Sequence, residues 1–288
     1  MELFQYDFMQ RALIAGLITA VACPLIGIFV VVRRQAMIGD GLGHIAFAGV
    51  MGGYVLGVYP TAVAALVTML GAAAIEFVRH RHMRQADTAL AIFFYSGIAL
   101  AVIFSSMAKV PGNGMIGVLF GSILTVTGAD IWLIAGSGVL VLGVMHRYFD
   151  RLLLMAFDED VAHVSGINTG LTGTIFSMMA ALVVVVGMRV VGILLVSSLM
   201  VIPVAAAQLL RRGFRATLAL AVAFSVISVL GGLVLSFNLD IAPGGTIVVT
   251  AVAIYLIMLV CADLNVNFTL TRKKSADTIV KSGHKNSY

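Results

Sequence analysis

Ala12-Leu13-Ile14-Ala15-Gly16-Leu17-Ile18-Thr19-Ala20-Val21-Ala22-Cys23-Pro24-Leu25-Ile26-Gly27-Ile28-Phe29-Val30-Val31-Val32 runs for 21 residues without a charge and stops at Arg33-Arg34. A bilayer core of about 30 Å is crossed by about 20 apolar helical residues, so the stretch reads as a membrane span with a basic end left in water. The pattern repeats along the chain. Apolar runs near 12–32, 41–58, 61–79, 88–107, 130–145, 170–188, 190–210, 216–236 and 246–262 predict an all-α polytopic membrane protein of about nine spans. Composition agrees: of 288 residues, 61% are hydrophobic and 11% charged, and mean hydropathy is +1.08. A soluble domain carries about 25% charged residues.

The net charge of +5 sits in short clusters between the runs. These are Arg33-Arg34, Arg79-His80-Arg81-His82-Met83-Arg84, His146-Arg147 with Arg151, Arg211-Arg212 with Arg215, and Arg272-Lys273-Lys274. Threading the spans in order puts every cluster on one face, which predicts an outside N-terminus and a cytoplasmic C-terminus. Lys109 and Arg189 alone break that pattern. No basic cluster is interleaved with aromatic residues at a spacing suited to stacking on bases, so no nucleic-acid partner is expected. Cys23 and Cys261 are single thiols in separate spans, and Glu2 and Asp7 stand where a signal peptide would be basic. Residues 114–127 are too short to cross and are expected to form a re-entrant or interfacial segment. The permeation domain is assigned to 1–268, with a disordered cytoplasmic tail over 269–288.

Within this apolar frame, Ile38-Gly39-Asp40-Gly41-Leu42-Gly43-His44-Ile45 carries two ionisable groups. Spacing i, i+4 puts Asp40 and His44 on one helix face, and a carboxylate with an imidazole is a donor pair that Zn, Mn or Fe accepts. A charge inside a membrane span reads as functional by default. The plainer alternative is an Asp40 that caps its helix and a His44 bonded to backbone. Gly49, Gly53 and Gly57 form a small-residue stripe for close helix approach, and a segment unwound beside Asp40 is the other option. Pro203 inside the seventh run, and Pro243-Gly244-Gly245 before the ninth, are candidate pathway or hinge residues.

The longest inside loop, about 146–169, contains Phe157-Asp158-Glu159-Asp160-Val161-Ala162-His163-Val164-Ser165-Gly166-Ile167. Asp158 suits an N-cap, Glu159 and Asp160 the first turn, and Gly166 the position after the end. A short helix is expected there, with Phe157, Val161, Val164 and Ile167 offering an apolar face to a partner. No GxxxxGK[ST], HExxH or Ser/His/Asp set occurs, so the chain is read as a transporter subunit rather than an enzyme. Its energy would come from a separate subunit.

These residues resemble the integral-membrane permeases of ABC importers that carry zinc, manganese or iron(II) with a cluster A-I binding protein. The resemblance covers nearly all of 5–265. It is carried by Val32-Arg33-Arg34 with the Asp40/His44 segment, Leu119-Phe120-Gly121-Ser122-Ile123-Leu124, and Phe157-Asp158-Glu159-Asp160 with Gly166-Ile167. Val191-Gly192-Ile193-Leu194-Leu195-Val196-Ser197, Ile202-Pro203-Val204-Ala205-Ala206-Ala207 and Pro243-Gly244-Gly245-Thr246-Ile247-Val248 complete it. Gly43 departs from the Ser or Ala usual before the histidine. The resemblance implies a type II ABC-importer-like fold in the bacterial plasma membrane, where family members often show eight spans. It also implies a homodimer with the path on its two-fold axis, and a metal-loaded binding protein docking outside. A cytoplasmic ATPase would dock on a coupling helix comprising Asp158, Glu159, Asp160, Val161, Val164, Ser165 and Gly166. Asp40 and His44 would then bind the passing metal, with zinc favoured over manganese, and no cofactor would be held permanently. Competing classes are a secondary transporter or channel, a chelate permease and an intramembrane metalloprotease. The first should show inverted repeats and the last three ligands with a general base, and neither is visible.

Overall fold

The computed structural model describes residues 7–81, 86–108, 112–121, 128–189 and 191–285. Their secondary structure is helical: α1 Asp7–Val32, α2 Ile38–Leu56, α3 Pro60–Arg81, α4 Ala86–Ala108, α5 Gly112–Phe120, α6 Gly128–Phe157, α7 Glu159–Val164, α8 Thr169–Met188, α9 Ile193–Gln208, α10 Phe214–Leu239 and α11 Pro243–Lys285. Every predicted span falls on one of these helices. Seven of them are long and apolar enough to cross a membrane; α2, with 19 residues that include Asp40, His44 and several glycines, is long enough but less apolar, and α9, at 16, is shorter. The sequence run 190–210 looked longer because it ignores Gly192, whose φ of +94° ends the preceding turn before α9 begins.

α1, α2, α8 and α9 form the interior, and α8 is 78% buried over its apolar window against 11% for α11. Peripheral helices turn large apolar side chains outward, such as Trp132 on α6 and Val249 on α11, as lipid contact requires. α2 packs on α3 and α4, and α9 packs on α1, α2, α10 and α11. Close approach rests on glycine. A Cβ on Gly49 would stand 2.6 Å from the Ala64 Cα, and one on Gly53 2.6 Å from the Pro60 Cα. Gly57 does not extend that stripe. It takes φ +66° as the cap of α2, with Val58 donating its N–H to the Gly53 carbonyl at 3.2 Å.

One further expectation changes. α6 runs for 30 residues, well past 145, because no Gly or Pro interrupts 144–157 and Met145, Leu152 and Met155 bury one helical face. The connection to α8 therefore shortens to α7 and its flanks. The backbone of α11 is helical through Lys285. Of the segment expected to be re-entrant, 114–120 lies in the short α5, packed on α9 and α11, and 122–127 lies outside the described residues, as do Lys109 and His82.

Candidate functional site

α2 begins after Met37, which has helical φ and ψ and makes no side-chain cap bond. Asp40 is thus the third residue of a regular first turn, and neither an unwound segment nor a capping role describes it. A carboxylate there is favoured by about 0.3–1 kcal/mol through the helix dipole. Its partner comes from another helix: the Ser197 hydroxyl of α9 donates to Asp40 Oδ1. The approach depends on Gly39, whose Cβ would stand 2.8 Å from the Ser197 Cβ.

His44 lies one turn along α2 and is fixed from α4. The Phe94 ring meets the imidazole edge-on, with centroids 4.4 Å apart at 73°. Gly97 lets α4 come that near, since a Cβ there would lie 2.8 Å from the His44 carbonyl carbon. His44 Nδ1 is buried and makes no hydrogen bond among the described residues. A buried polar atom left unpaired costs about 1–3 kcal/mol, a cost that a bound cation beside Asp40 would remove. Among the described residues no group of three or more His, Cys, Asp or Glu gathers. The Asp40/His44 pair of one chain is therefore at most half of a tetrahedral set of donors.

The other sequence-predicted residues lie elsewhere. Asp158 caps α7 by accepting the Val161 N–H at 2.9 Å, Ser165 Oγ donates to the Val161 carbonyl, and Gly166 takes φ +82°. Glu159 and Asp160 occupy the first turn of that helix. Phe157, Val161 and Val164 are exposed, the last to 88%, and Ile167 is half-buried. Pro203 sits inside α9 beyond Ser197, and Pro243 opens α11. Gly244 is packed, because a Cβ would meet the Val191 and Phe120 carbonyl groups, whereas Gly245 has nothing within 4 Å. Gly192 is held against the same end of α5.

Two buried charge clusters were missed in the sequence. Glu76 of α3 is 2% exposed and accepts from Arg79 at 2.6 and 3.0 Å and from Ser177 of α8 at 3.1 Å, with Arg33 4.0 Å away. Arg33 also lies over the Phe176 ring, and burial, with Arg79 repelling it, lowers its pKa to about 10. The i, i+3 spacing of Glu76 and Arg79 was the available signal. At another corner, Asp130 of α6 is 1% exposed and takes a two-pronged bond from Arg189 at 2.7 and 2.8 Å, and Tyr59 also donates to it. That pair explains why Arg189 broke the charge pattern.

Long apolar helices around an interior of α1, α2, α8 and α9 are the architecture of a polytopic integral-membrane protein. Residues 5–262 match the ABC 3 transport family, and the chain belongs to it. As a permease subunit it leaves ATP hydrolysis to a separate subunit. It is 34% identical over 257 residues to a probable metal transport system membrane protein of Treponema pallidum, covering 89% of this chain and 96% of that one. It is 31% identical to the manganese transport system membrane protein MntC of Halalkalibacterium halodurans (88% and 87% covered). It is 28% identical to the high-affinity zinc uptake system membrane protein ZnuB of Haemophilus influenzae (88% and 97% covered). Among solved structures it resembles PsaBC from Streptococcus pneumoniae in complex with Fab, with TM-score 0.80, 28% identity and coverage of 89% and 92%.

Proposed function

We propose that the chain is the permease of an ATP-driven importer for a divalent transition metal ion, with Asp40 and His44 as its transient ligands. The observation that carries this is the buried, unpartnered His44 Nδ1 one helical turn from a carboxylate. Two copies meeting on a two-fold axis would bring two Asp and two His together, enough for a complete and weak site. Zinc is the first candidate and manganese the second. Relatives named for each metal match most of the chain, and one carboxylate with one imidazole suits both. The capped α7, with Phe157, Val161 and Val164 outward, is the surface for the cytoplasmic ATPase, and an extracytoplasmic metal-binding protein loads the opposite face. In this reading the basic clusters lie inside a bacterial plasma membrane, with the N-terminus outside and the C-terminus in the cytoplasm.

In cells expressing the intact transporter, Asp40→Ala and His44→Ala at matched expression are expected to reduce labelled zinc or manganese uptake at least about 10-fold, while the ATPase still co-purifies. Uptake equal to wild type in both would remove the pair from the path. Imidazole ligates only when neutral. Uptake should therefore hold from pH 8 to 7 and weaken as the pH drops toward 5 and the imidazole protonates, with binding-protein loading measured separately. A flat profile would mean His44 is not a ligand.

A further inference from the structure

Several buried hydroxyls bond within their own helix. Thr19 donates to the Ala15 carbonyl, Thr68 to that of Ala64, and Ser228 to that of Phe224, each four residues back. Ser197, 6% exposed, has the same option toward Ile193 and instead reaches across to Asp40 Oδ1. Gly39 on α2 clears the space for that crossing. The bond leaves Asp40 with one oxygen, Oδ2, unclaimed by Ser197.

We propose that Ser197 is a positioning residue that sets metal preference: by holding Oδ1 it restricts Asp40 to single-oxygen coordination and favours zinc over manganese. The inference rests on reading Asp40 and His44 as cargo ligands. With two copies, two single-oxygen carboxylates and two imidazoles make four ligands, the tetrahedral number zinc prefers. Released from Ser197, each carboxylate could chelate through both oxygens and the count would become six, the octahedral, oxygen-rich set that suits manganese. The hydroxyl also keeps the carboxylate from swinging toward bulk water, and loss of such supporting bonds typically weakens metal binding by about 10–100-fold.

The test is equilibrium dialysis of the purified permease–ATPase complex against zinc alone and manganese alone. Ser197→Ala is expected to lower the zinc-over-manganese affinity ratio about 10-fold, chiefly by weakening zinc, while Ser197→Thr, which keeps the hydroxyl, retains the wild-type ratio. Ser197→Cys, close in size and a weak donor, should shift the ratio as Ala does and covers the case of an Ala variant that fails to fold. A wild-type ratio in both Ala and Cys variants, with Asp40→Ala binding neither metal, overturns the role of Ser197 and leaves the ligand assignment standing. Wild-type binding by Asp40→Ala overturns both.

Discussion

Replacing Glu76 with alanine is expected to destabilise the protein by about 3–5 kcal/mol, because the change leaves two guanidinium groups gathered around an absent carboxylate. Arg33 and Arg79 both lie within 4.0 Å of Glu76, with side-chain exposures of 4% and 17%. Ser177 would lose its acceptor at the same time. Glu76→Gln keeps the shape and accepts one bond, so its penalty should fall between Ala and wild type. Heating the detergent-purified variants and following the folded fraction gives the order wild type, Gln, Ala. Superimposed melting curves would show that the cluster contributes nothing to stability.

The second large effect is expected at Gly27, where α1 crosses α9. A Cβ there would fall inside the van der Waals shell of the Met200 carbonyl oxygen and 2.8 Å from its carbon. The obstacle is backbone with no rotamer to yield, so Gly27→Ala should reach or exceed the roughly 3 kcal/mol upper end of overpacking penalties. Gly136 and Gly143 on α6 have nothing within 4 Å of an added Cβ. Alanine at either should instead stabilise by up to about 1 kcal/mol through helix propensity. Because α9 also carries Ser197, Gly27→Ala should impair metal uptake as well as melting. If all three variants melted alike, the close crossing would not constrain the helices.

What sequence alone disclosed follows what repeats along the chain. Hydrophobic run length located the helices, and the cap residues Asp158 and Gly166 located α7, since both signals are local. Asp40 and His44 were visible because their spacing lies within one helix. Ser197, Phe94 and Gly97 were not, because they reach that pair from α9 and α4, 157 residues away in the case of Ser197. Arg189 looked like an exception until Asp130, 59 residues distant, was placed beside it. Gly57 was misassigned to a packing stripe because spacing does not report φ. Run length also overstated α9, whose start is set by the φ of Gly192.

α6 has a mechanical consequence. At 1.5 Å per residue its 30 residues measure about 45 Å, longer than the roughly 30 Å hydrocarbon slab. The ion pair of Asp130 with Arg189 anchors it near its first residue, and α7 hangs from its last. Between those ends it packs on α1 and α8, with Ile134, Val141, Met145, Leu152 and Met155 buried along its length. A rigid tilt of about 5° about the anchored end would sweep Phe157 sideways by about 4 Å, and would have to carry the packed faces of α1 and α8 with it.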